Sequence, residues 1–82
     1  MEQIELLQIQ MNRERQNGAL YDALAGAFEA MNLPGLAAFM ARNGDEERGH
    51  AKKFFDYISD LGAQPRIDLL ELESVVLSVD IY

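Results

Sequence analysis

Apolar side chains recur through residues 4–31 at the three- and four-residue steps of a helix, in Leu7, Met11, Leu20, Tyr21, Leu24, Phe28 and Met31. The pattern stops at Asn32-Leu33-Pro34-Gly35, where proline and glycine supply a turn and proline can open a following helix. A second helix is expected over residues 35–61, with Leu36, Phe39, Met40, Glu47, His50, Phe54, Tyr57, Ile58 and Leu61 in its stripe. Gly62 follows as a C-cap, and Pro65 prevents the helix from resuming. The character changes again beyond Ile67. The run Val75-Val76-Leu77-Ser78-Val79-Asp80-Ile81-Tyr82 is β-branched and partly alternating, which predicts an extended or strand-like tail. The expected division is a helical hairpin over residues 1–66 and a tail over residues 67–82.

Two such helices joined by a short turn make an antiparallel hairpin, and a hairpin by itself leaves one side of each stripe in water. Pairing with a second hairpin into a four-helix bundle removes that exposure. One chain carries one hairpin, so the simplest partner is a second copy across a two-fold axis. The expected fold class is therefore all-α, a two-helix hairpin that homodimerises into a four-helix bundle.

At 82 residues the chain is at most one small domain, and it has no cysteine to supply disulfides or thiolate ligands. Its formal charge of −7 argues against nucleic acid and suits a protein that attracts cations. The first ten residues lack the basic start of a secretory signal, and no apolar run approaches the ~20 residues that span a bilayer. A soluble, cytoplasmic protein that avoids membranes is expected.

The chemistry concentrates in Asp45-Glu46-Glu47-Arg48-Gly49-His50, which contains the only histidine. Glu47 and His50 are three residues apart and share a helix face. Such a pair is often part of an ordinary solvated face, beside acids and bases like Asp45, Glu46 and Arg48. Phase separates the two cases here. Steps of three and four from Glu47 and His50 reach Met40 and Leu36 in one direction and Phe54, Tyr57 and Leu61 in the other, so the pair lies along the apolar stripe. Glu14 on the first helix is in phase with Leu7, Met11, Tyr21 and Phe28, and antiparallel pairing brings it within a turn or two of Glu47. A two-fold would then gather two copies each of Glu14, Glu47 and His50. Two divalent cations would neutralise the four carboxylates, with the imidazoles as neutral ligands. Carboxylate oxygen with imidazole nitrogen suits iron, manganese or zinc. Gly18 leaves room for a ligand or a close helix approach, and Tyr21 is either a hydrogen-bond partner of a ligand carboxylate or a plain core residue.

Gln10-Met11-Asn12, Glu14, Leu20-Tyr21, Gly35, Ala37-Ala38-Phe39, Glu46-Glu47, His50, Phe55-Asp56-Tyr57 and Pro65-Arg66-Ile67 together closely resemble the first half of a bacterial non-haem ferritin. The resemblance runs from Gln10 to Ile67. It implies that Glu14 terminates one ferroxidase iron, that Glu47 bridges two irons, that His50 is a nitrogen ligand, and that Tyr21 sits beside the centre. The implied activity is oxidation of Fe(II) by O2 or peroxide. Because the second helix pair of a full ferritin is not matched, the remaining ligands are expected from a second copy. The resulting symmetric centre, with two irons per dimer, is similar to those of bacterioferritin and rubrerythrin. Encapsulated ferritins, also two-helix chains, build their site between subunits in a similar way. Two other outcomes remain open: a non-catalytic assembly module of the same fold with a structural metal or none, and a rubrerythrin-like peroxide scavenger.

Overall fold

The computed structural model describes residues 2–68, and in it the hairpin is formed by α1 (Glu2–Ala30) and α2 (Pro34–Asp60). Both helices end in the same hydrogen-bonded motif, for the same reason. At the end of α1, Asn32 takes a left-handed φ of 60°, its N–H reaches Glu29 O, and Leu33 N–H reaches Phe28 O. At the end of α2, Gly62 takes φ 86°, its N–H reaches Ser59 O, and Ala63 N–H reaches Ile58 O. Asparagine and glycine are the two residues that enter this region at least cost, and the paired bonds satisfy carbonyls that a helix end leaves open. Pro34 opens α2, where its missing N–H costs nothing.

The seam between the helices is built from small residues at seven-residue spacing. Ala37, Gly44, Ala51 and Ile58 are the buried positions of α2, and Met11 and Gly18 face them from α1. The expected stripe of large side chains does not fill this seam. Leu36, Phe39, Tyr57 and Leu61 remain 45–51% exposed. Among the described residues, Met11 and Ile58 are the large side chains that are fully enclosed, with Leu7, Phe54 and Ala63 packed around them and Ala51. Small residues let the helices close tightly and turn the larger ones outward. The Cα extents of 46 × 22 × 13 Å describe a single layer of helices.

After α2 the chain folds back along α1. Gln8 Nε2 donates to Gln64 O at 3.0 Å, and Gln8 Oε1 accepts from Arg66 N–H at 2.7 Å. Asn12 Nδ2 donates to Arg66 O at 2.8 Å, and Asn12 Oδ1 accepts from Asp68 N–H at 2.8 Å. Two carboxamides one helical turn apart thus bind the backbone of alternate residues, as a neighbouring strand would. Burying polar groups as deep as Gln8 and Asn12 is tolerable because each is hydrogen-bonded. Arg15 Nη1 donates to Asp68 O, and Arg66 pairs with Glu5, fastening the same segment at its edges. The strand-like character expected beyond Asp68 falls outside the described residues. No helix among the described residues is long and apolar enough to cross a membrane.

The glycines give a direct test of the seam. A Cβ at Gly44 would lie 3.3 Å from Gly18 O and 2.7 Å from an Asp22 carboxylate oxygen, whereas one at Gly26 would meet nothing within 4 Å. Gly26→Ala should stabilise by up to about 1 kcal/mol through helix propensity. Gly44→Ala forfeits that gain to an overpacking cost of about 1–3 kcal/mol and should melt at a lower temperature than Gly26→Ala. Thermal unfolding followed by circular dichroism checks the order.

Candidate metal centre

Glu14 stands one turn before Gly18 on α1, and Glu47 stands one turn after Gly44 on α2. Because the helices run in opposite directions through the Gly18–Gly44 contact, those two steps arrive at the same level. His50 follows Glu47 by three residues on the same face. The structure therefore brings together all three residues singled out in the sequence, with one ligand-capable atom from each within 4.8 Å of the others. His50 Nδ1 lies 3.3 Å from Glu47 Oε1 and 3.6 Å from Glu14 Oε2. Donors held at about 2.1 Å from one cation sit about 3 Å apart when adjacent, so this set needs little adjustment to close on an ion.

The two carboxyls behave as a pair. The hydrogen bond with Glu47, followed by lesser contributions from Gln10 and His50, holds the Glu14 carboxyl below the usual glutamate value despite some burial. The same hydrogen bond, viewed from the other side, pushes Glu47 up, with desolvation and the Glu14 charge adding to it. Two carboxyls this close oppose each other's ionisation, and the opposition is felt at Glu47, whose pKa is raised, while that of Glu14 is lowered.

Contacts not foreseen in the sequence flank the site. Gln10 Nε2 donates to Glu14 Oε1 at 2.9 Å, and Asn17 Nδ2 donates to Glu47 Oε2 at 3.3 Å. Tyr21, which the sequence leaves as either a hydrogen-bond partner or a plain core residue, is half-buried on the same helix, and the amide bonds to the carboxylates come from Gln10 and Asn17. The four-residue spacing of Gln10 and Glu14 was a legible signal; the reach of Asn17 across to α2 was not. Arg48, next to Glu47, turns away and bridges Asp22 of α1 and Asp45 of its own helix, which raises its pKa further. Glu46 is exposed and stands outside the three-residue group.

On its outer side the group opens into a shallow cavity of about 430 Å³ lined by Glu14, His50, Lys53, Phe54 and Tyr57. His50 is 52% exposed there, against 15% for Glu14 and 19% for Glu47. Three donors from one chain leave the coordination of a hard cation incomplete, and the unfilled side is this open one.

Residues 4–80 match the family model described as a ferritin-like domain. The bacterial non-heme ferritin of Escherichia coli O6:H1 is 39% identical over 70 residues, covering 85% of this chain and 42% of the relative. That of Staphylococcus epidermidis (strain RP62A) is 34% identical over 77 residues, covering 94% and 46% respectively. The Staphylococcus haemolyticus protein is 39% identical over 59 residues, covering 72% and 36%. The chain thus spans less than half the length of the curated relatives it matches.

The raised pKa of Glu47 predicts a trade-off with a definite sign. A carboxyl that binds its proton more tightly in the folded state destabilises the fold once ionised; that cost is full above the raised pKa and vanishes below the ordinary value of 4.5. Glu47→Gln should therefore raise the melting temperature of the metal-free protein at pH 7 and lose that advantage near pH 4. Thermal melts at the two pH values, in the presence of a chelator, check it.

Proposed function

The chain belongs to the ferritin-like family, and we propose that it is a di-iron protein whose centre is completed by a second copy of itself. Carrying this reading is the convergence of Glu14, Glu47 and His50 from two helices onto one open face. A two-fold at that face gathers four carboxylates and two imidazoles, which two divalent cations neutralise. The set then corresponds to one glutamate from each of two helices and Glu-x-x-His from each of the other two. The exposed Leu36, Tyr57 and Leu61 on α2 supply apolar surface for the same contact.

In this proposal Fe(II) is the substrate, and the reaction is ferroxidation by O2 or peroxide. Glu47 and its copy would hold both cations, and Glu14 and His50 would complete the donor set of each. Two bound ferrous ions supply two electrons to the oxidant. Carboxylates suit that change because anionic oxygen favours the ferric product over the ferrous reactant. Manganese or zinc would fit the same donors without supplying those electrons.

Anaerobic titration with Fe(II), followed by admission of oxygen and, where oxygen gives no change, of hydrogen peroxide, tests the reading alongside the mass from sedimentation. Two irons per dimer and a new diferric absorbance are expected. Glu47→Ala should abolish stoichiometric binding and the absorbance while remaining helical. A monomeric hairpin, or a dimer that binds iron and stays spectrally silent under both oxidants, overturns the ferroxidase. The silent dimer is the outcome that favours a non-catalytic assembly module.

A further inference from the structure

We propose that Gln10 and Asn17 are a pair of positioning residues that aim the two glutamates of the centre; the proposal rests on the reading of Glu14, Glu47 and His50 as metal ligands. The pair stands seven residues apart on α1, on one face and on either side of Glu14. Each amide holds one oxygen of one carboxylate: Gln10 Nε2 binds Glu14 Oε1, and Asn17 Nδ2 binds Glu47 Oε2. The oxygens left over, Glu14 Oε2 and Glu47 Oε1, are the two that face His50 Nδ1 at 3.6 and 3.3 Å. Both carboxylates are therefore held from behind while their other oxygens converge on the imidazole.

The need for such a device follows from torsional freedom. The last torsion of a glutamate is broad and roughly two-fold, so nothing within the side chain fixes which way its oxygens point. Two neighbouring carboxylates would turn apart under their own repulsion. An amide N–H opposes that rotation without adding charge, and each bound oxygen keeps a further lone pair. Lysine or arginine at these positions would hold the oxygens as firmly but would also compete with the incoming cation. Asn17 reaches Glu47 from the other helix because it precedes Gly18, where the backbones meet without side chains.

Cobalt(II) is a suitable probe because its visible spectrum reports coordination geometry without redox chemistry. Gln10→Leu and Asn17→Leu remove each donor at nearly constant volume. Each should weaken cobalt binding about 10–100-fold, as losing a hydrogen-bond partner of a metal ligand does elsewhere, and should alter the visible bands. The metal-free melting temperature should stay within error of the parent. Asn43→Leu is the control: Asn43 is half-buried, and its side-chain amide bonds to Phe39 O of its own helix and to neither glutamate. Unchanged affinity and spectrum in both test variants, or an equal loss in Asn43→Leu, overturns the proposal. In the metal-free protein, the side-chain amide resonances of Gln10 and Asn17 should move in Glu14→Ala and Glu47→Ala respectively; no movement also overturns it. A parent chain that binds no cobalt overturns the centre itself, and this proposal with it, whereas tight parental binding that survives both leucine variants overturns the positioning pair alone.

Discussion

Where Gly18 of α1 meets Gly44 of α2, no side chain separates the two backbones. That closeness sets what every neighbouring side chain can touch. Asp22 and Arg48 can join across the hairpin on one side of the contact, and Glu14 and Glu47 come close enough to perturb each other's ionisation on the other. The remaining seam repeats the theme with Ala37 and Ala51, so the separation stays small for most of the length. Only near the open end do larger residues, Met11 and Ile58, take over. Small residues contribute little apolar burial of their own. The hairpin accordingly gains proximity at the expense of core volume.

The electrostatics are divided between two sides. Arg48 takes two aspartates and relieves its own surface, while among the described residues the group paired with Glu14 and Glu47 is His50 and no lysine or arginine. Acids left in mutual contact on a half-buried surface oppose folding in the absence of a counter-ion. Natural proteins carry such local conflicts where function requires them. The same face also leaves large apolar side chains in water, so an unrelieved charge pair and uncovered apolar surface lie side by side on it.

The helices, their turn and their caps were legible because each rests on a local rule. Pro34 starts a helix, Gly62 ends one, and the periodicity in between is unambiguous. The convergence of Glu14, Glu47 and His50 was legible too, since phase and an antiparallel turn place them at one level. Which stripe forms the seam was not. Leu36, Phe39 and Tyr57 dominate the pattern by size, but the seam belongs to alanine and glycine, whose importance lies in what they leave out. Asn32 in a left-handed conformation gave no clear signal among residues that adopt several backbone states. The docking of residues 64–68 also escaped notice, because Gln8 and Asn12 read as ordinary polar positions until their backbone partners, more than fifty residues away, are known.

That docking has a consequence for how the returning segment can vary. Gln8 and Asn12 grip peptide groups of residues 64, 66 and 68 and leave the side chains there unread. Pro65 falls in the skipped register, where a missing N–H is not felt. Side-chain changes at residues 64 and 68 are therefore cheap so long as the backbone stays extended, whereas shortening either amide would release it at once. On the helical wheel Gln8 and Asn12 lie about 200–240° from Glu14, so the return path crosses the far side of α1 and leaves the carboxylates unobstructed.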